Sequence, residues 1–182
     1  MMCACQPSQQ SQMYTVTGEL EDSTQHGKKV YIMRYDDNKL IDSTFVEGNK
    51  FVFKGQVDTA SFCRINVTRS AFGNFILEGG DIKVNLKEYN QPSGTPQNEE
   101  MARIAKEQEA IYAEVEQKHR EYNEKFADDK KAGDEALALY AKQVTADLAK
   151  RAVELYATHN DDAVGYYLLS TVFMFEIEHD AQ

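Results

Sequence analysis

Cysteine is scarce in this sequence: Cys3, Cys5 and Cys63 are the only three in 182 residues. That is too few for the several bridges that staple small secreted folds, and no second pair stands at metal-ligand spacing. Cys-x-x-Cys is also missing, since Cys3-Ala4-Cys5 is one residue too short for it. Long hydrophobic runs are absent as well. The longest apolar stretch, Tyr166 to Phe175, is interrupted by Ser170 and Thr171 and falls well short of the ~20 residues a helix needs to cross a bilayer. Basic side chains are outnumbered, with 20 Lys and Arg against 30 Asp and Glu and a net charge of −10. The imbalance is local: residues 1–97 hold 10 basic and 11 acidic groups, residues 98–182 hold 10 and 19. An acidic surface repels phosphate backbones, and no basic stripe interleaved with aromatics occurs, so no nucleic-acid partner is expected.

Catalytic signatures are missing too. His26, His119, His159 and His179 form no His-x-x-x-His pair, and Glu176 with His179 offers two ligands at a chain end, a poor metal site. No Gly-x-Ser-x-Gly elbow and no glycine-rich phosphate loop is found; Glu78-Gly79-Gly80-Asp81 lies between strands and reads as a hairpin turn. The acidic residues of the back half have lysines among them, the usual pattern of a solvated face rather than of paired catalytic carboxylates. The expectation is a chain with no catalytic constellation, no metal and no cofactor.

What is present begins with Met2-Cys3-Ala4-Cys5, followed by the polar Gln6-Pro7-Ser8-Gln9-Gln10. A small residue before a cysteine and a polar tether after it look like the end of a lipoprotein signal, although the charged and hydrophobic signal regions do not precede it. Residues 1–12 are therefore read as signal remnant and tether. Cys5 is the expected lipidation site, which places the chain in the cell envelope, lipid-anchored and periplasmic or surface-exposed.

From Met13 to about Leu86 the dominant period is two, the mark of half-buried strands. Tyr14, Val16 and Leu20 alternate with polar neighbours, as do Ile82, Val84 and Leu86. Between them lie Lys29–Tyr35, Leu40–Val46, Phe51–Val57, Phe62–Thr68 and Asn74–Glu78, separated by turn-formers such as Asp36-Asp37-Asn38 and Glu47-Gly48-Asn49. Seven short strands at this spacing predict an antiparallel β-sandwich or open barrel over residues 13–94. Cys63 shares its strand face with Ile65 and Val67, the pattern of an inert core thiol.

At Gln91-Pro92-Ser93-Gly94 the period changes. Thr95 is placed to cap a helix with Pro96 in its first position and Asn98 where a capping-box partner belongs. Met101, Ile104, Gln108, Ile111, Val115, His119, Tyr122 and Phe126 then recur at three- and four-residue steps, predicting seven or eight turns. After the polar Asp128–Gly133 turn, Asp134 is expected to cap a second helix carrying Leu137, Tyr140, Val144, Leu148, Ala152 and Leu155, and the two form an antiparallel hairpin. A short third helix follows Asn160-Asp161-Asp162 and is apolar nearly all round. It either plugs the hairpin or packs against a further domain that normally follows and is absent here, and Tyr167, Phe173 and Phe175 are the positions from which a partner or a second copy of the chain would be contacted. The fold class is α+β: a sandwich at 13–94, then a helical segment at 95–182.

Several local features add up to a resemblance. Tyr14-Thr15-Val16-Thr17-Gly18, Lys28 through Ile32, Ile41-Asp42-Ser43, Phe51-Val52-Phe53-Lys54-Gly55, Phe75 through Gly80 and Gly94 through Asn98 resemble, in order and spacing, an N-terminal domain of unknown function. That domain stands in front of a thioredoxin-like domain of the TlpA/AhpC-TSA type in Bacteroidetes envelope lipoproteins. The likeness covers roughly residues 13–98, and Tyr156 through Tyr166 look like the linker helices of the same proteins. The resemblance implies a thioredoxin-like domain or an envelope client as partner, and membrane attachment through Cys5. The Cys-x-x-Cys of the following domain has no counterpart here, so no redox role carries over. Two other readings compete: a thioredoxin-like disulfide oxidoreductase in truncated form, and a small-ligand or glycan-binding lipoprotein that uses exposed tyrosines. Read physically, Gly18, Gly55 and Gly80 suit close approach or positive φ, Phe51 and Phe53 suit the core, and Asp42 with Ser43 suits an edge hydrogen bond.

Overall fold

A computed structural model describes residues 11–87 and 91–172. The described residues form seven strands: β1 (Gln12–Glu19), β2 (Lys29–Arg34), β3 (Leu40–Phe45), β4 (Lys50–Val57), β5 (Ser61–Asn66), β6 (Phe72–Leu77) and β7 (Gly80–Asn85), and burial alternates most clearly in β1, β4 and β7. Three helices follow, α1 (Pro96–Lys125), α2 (Lys130–Thr158) and α3 (Ala163–Tyr167), the last continued by a π-helical turn over Leu168–Val172. The fold class is the α+β arrangement expected from the sequence. The chain divides into two compact units, 1–102 and 103–182, so that the first two turns of α1 belong with the strands.

In the first unit the strands form two sheets, ordered β4-β1-β7 and β3-β2-β5-β6. Val16, Phe51, Phe53, Ile82 and Val84 from the first sheet and Val30, Ile32, Cys63, Ile65, Phe75 and Leu77 from the second make one buried cluster. Every strand but β3 thus commits one face to a shared core, which is why a period of two runs through most of the region. Gly18 sits where any side chain would collide with the Phe51 ring packed beneath it. Every pairing is antiparallel except β1 with β7, which run parallel from Tyr14 opposite Gly80 to Glu19 opposite Asn85. These are the first and last strands of the sandwich, and five strands separate them, ample chain for the crossover that a parallel pair requires.

Two details differ from the pattern read in the sequence. Glu78-Gly79-Gly80-Asp81 is not a hairpin turn, because β6 and β7 lie in different sheets; the chain bends from one to the other there, with Gly80 at φ +119°. Phe62 and Ile76, opposite each other on the side of their sheet away from the shared core, are buried as well. Tyr35 stacks on Phe62 with centroids 4.8 Å apart, and the Arg64 guanidinium lies 4.8 Å from the Tyr35 ring centroid. Strand alternation assigned that face to solvent, since nothing in the period reports a loop residue folding back over it.

In the second unit α1 and α2 run antiparallel, with Tyr122 against Tyr140 at 6.3 Å between centroids and Arg151 3.4 Å from Glu107. From Ile111 onward the half-buried positions of α1 are Ile111, Val115, Lys118 and Tyr122, a three-four spacing typical of a narrow helix seam. Lys118 takes the place that the sequence pattern gave to His119; its stem covers the seam while its ammonium reaches Glu121 at 2.8 Å. α2 starts four residues before the expected cap. The Asp129 side chain accepts from Ala132 N–H at 3.1 Å, and Gly133 falls inside the helix, buried beside Phe126. α3 is capped by Asp162, whose carboxylate accepts from Gly165 N–H at 3.0 Å, while its other oxygen lies 2.8 Å from His159 Nδ1.

Candidate functional site

Of the residues singled out in the sequence for contact, only Tyr167 falls within the described part; Cys5, Phe173 and Phe175 lie outside it. Tyr167 is 6 % exposed, beside fully buried Val164 and Leu168. Its burial pushes the phenol pKa above the ordinary tyrosine value. The ring is thus packed inside the described structure. Leu168 converges with Ile104, Ile111, Leu148 and Leu155. The outward-facing apolar side chains at this end are Tyr166 and Leu169, which the all-round apolar pattern did not separate from Tyr167.

Cys63 is fully buried, and burial pushes its thiol up to about 12. Thiolate chemistry needs exposure and a depressed pKa, so this cysteine is a core residue. Asp42 and Ser43 make the expected edge bond, with Ser43 N–H donating to Asp42 Oδ1 at 2.7 Å. The Tyr14 hydroxyl lies 3.5 Å from Asp42 Oδ2, and its pKa is raised, first by burial and then by that carboxylate.

The two most distinctive sequence motifs meet. Asn98 is completely buried; its Oδ1 accepts from Ile76 N–H at 2.9 Å, and its Nδ2 donates to Ile76 C=O at 2.7 Å and to Thr95 Oγ1 at 2.8 Å. One side-chain amide thereby stands in for the peptide of a further strand at the edge of β6. Beside it the Glu78 carboxylate accepts from Gln97 N–H at 2.9 Å, in the first turn of α1, where negative charge is favoured. Glu99 reaches back to Gly94 N–H at 2.8 Å. Gly94 has φ +96°, and a Cβ there would strike the Asp81 carbonyl oxygen. Sequence reading placed Asn98 as a capping-box partner; its bonds to β6 needed the tertiary fold to be seen. The arrangement anchors α1 to the sheet and has no atom poised for chemistry.

A cleft opens elsewhere on the same unit. On the outer face of the β4-β1-β7 sheet Glu19 is opposite Lys50 and Asn85, and Thr17 is opposite Lys83. Ser93 extends the sheet by exchanging two backbone bonds with Lys83, at 2.9 and 3.0 Å. These residues enclose about 350 Å³. The Glu19 carboxylate is held by Lys87 at 2.7 Å, and that hydrogen bond keeps its pKa below the usual range. No group of three or more His, Cys, Asp or Glu side chains is placed to hold a metal ion among the described residues. No described helix is long and apolar enough to cross a membrane.

Fold and sites together define a two-sheet sandwich clamped to the start of a long helix, with an open polar cleft on one sheet. Residues 14–101 match the model of the family described as Domain of unknown function (DUF4369), so the chain carries an N-terminal domain of this uncharacterised kind. The match ends within the part of α1 that belongs to the first unit. No curated protein and no solved structure is found to match the chain.

Proposed function

We propose that the chain is a non-catalytic binding or positioning module of a lipid-anchored envelope protein, working beside a thioredoxin-like domain or client that performs thiol–disulfide exchange. The observation that carries this reading is the state of Cys63. With its thiol sealed in the sandwich core and its pKa raised to about 12, Cys63 is a poor source of thiolate, which supports assigning exchange chemistry to a partner. The resemblance supplies the kind of partner, and Cys5 with its polar tether supplies the anchor. Anchoring follows from burial of about 0.8 kcal/mol per acyl CH₂, which holds firmly when two or more chains are attached.

The test is fractionation of the natural gene product with and without Cys5→Ser, joined to an insulin-reduction assay of the purified chain. The module reading expects wild type with the membranes, Cys5→Ser in the soluble fraction, and no turnover by either. An unmodified Cys5 in a soluble wild-type protein overturns the anchor. Turnover by the purified chain overturns the non-catalytic assignment and favours an oxidoreductase.

A further inference from the structure

We propose that the cleft on the outer face of β4, β1 and β7 binds a small hydroxylated carboxylate of the uronic-acid class, with Lys50 and Lys83 facing the carboxylate. Its charge is the first argument. Among the described residues two lysines, Lys50 and Lys83, line the cleft with one acid, Glu19, whose carboxylate is already paired with Lys87 at 2.7 Å. Neither Lys50 nor Lys83 takes part in an ion pair among the described residues, although the chain carries 30 acidic side chains. A locally positive, concave surface on a protein of net charge −10 concentrates anions that the remainder of the molecule repels.

The lining is the second argument. The hydroxyls of Thr17 and Ser93 and the amides of Asn85 and Gln91 line the cleft beside the lysines. Such groups donate to and accept from ligand hydroxyls, and Glu19 adds an acceptor. A volume near 350 Å³ lies at the small end of sites for small molecules. A phosphate is disfavoured, because the nearby helix N-terminus that would cradle it is taken by Glu78. This inference stands independently of the lipid-anchor reading, because it concerns only the folded strands.

The test uses the full chain titrated with glucuronate, followed by backbone amide NMR, with glucose and inorganic phosphate as the other arms. Saturable shifts centred on Thr17, Glu19, Lys83, Asn85 and Ser93 are expected, weakening as salt is raised. Lys50→Gln and Lys83→Gln should each weaken glucuronate binding at least tenfold, whereas Lys54→Gln, on the same strand as Lys50 but outside the cleft, should leave it unchanged. All three side chains are exposed, so the variants should unfold at the wild-type temperature. Glucose binding as tightly as glucuronate overturns the carboxylate, and phosphate binding more tightly than glucuronate overturns the hydroxylated class. Equal weakening by Lys54→Gln reduces the effect to diffuse surface charge, and the absence of any saturable shift removes the site.

Discussion

Cys63 and Asn98 are both buried, yet they respond to different perturbations. For Cys63 the folded-state pKa, raised to about 12, exceeds the ordinary thiol value of 9.0. Below pH 9 both folded and unfolded chains keep the proton, and the thiol has no effect on the pH dependence. Between roughly 9 and 12 the unfolded chain gives up its proton and the folded one does not, so stability should fall by up to about 1.4 kcal/mol per pH unit from this group. Urea denaturation across that range should show the loss, and Cys63→Ala should flatten it by close to one proton. In native protein Cys63 should also resist alkylation at pH 8 and react once urea is added, with the labelled peptide identified by mass. Asn98 instead answers to truncation. Asn98→Ala leaves Ile76 N–H and C=O without their partner, and with about 1–3 kcal/mol for each buried polar group left unsatisfied, a total loss of roughly 2–6 kcal/mol is expected in the same denaturation experiment. A loss under about 1 kcal/mol would mean that water replaces the amide.

At the level of elements, α2 provides the test of local reading. Its cap is Asp129, which bonds Ala132 N–H at 3.1 Å. Asp129→Ala should cost about 1 kcal/mol and fray the first turn, seen as lost helical circular dichroism, while Asp134→Ala should do neither. Sequence periodicity favoured Asp134 because Gly133 resembles a turn residue; its burial against Phe126 is a tertiary fact. The same division runs through the fold. Strand positions were readable because every strand but β3 spends one face on a single core, and alternation records that directly. Sheet membership was not, since Glu47-Gly48-Asn49 and Glu78-Gly79-Gly80-Asp81 look like hairpin turns and in fact carry the chain between sheets. The cleft was invisible for a similar reason: Glu19, Lys50, Lys83 and Ser93 are far apart in sequence, and the pairing of β1 with both β4 and β7, together with the Lys83–Ser93 bridge, brings them together.

On the scale of the whole molecule, the sandwich core draws its buried apolar residues from β1 to β7 and the turns between them, none from α1 to α3. A fragment of residues 11–102, which keeps Asn98 and the first turns of α1, should therefore unfold cooperatively with a β-rich spectrum; a molten fragment would show that the sandwich depends on the remaining helices. Asn98 has a last consequence, which concerns what the chain does in company. An open sheet ends in rows of free backbone groups that can recruit another copy, and each rim of these two sheets carries a guard. The β6 rim is stoppered by the Asn98 amide, the β7 rim by Ser93, the β4 rim by the charges of Lys50 and Lys54, and the β3 rim by Asp42 capping Ser43 N–H beside the irregularity at Ile32/Met33. Removing Asn98 thus does more than weaken one molecule. It uncovers a template beside Phe75 and Leu77, and the damage should spread from the single chain to the population as ordered, thioflavin-binding aggregates growing from that rim.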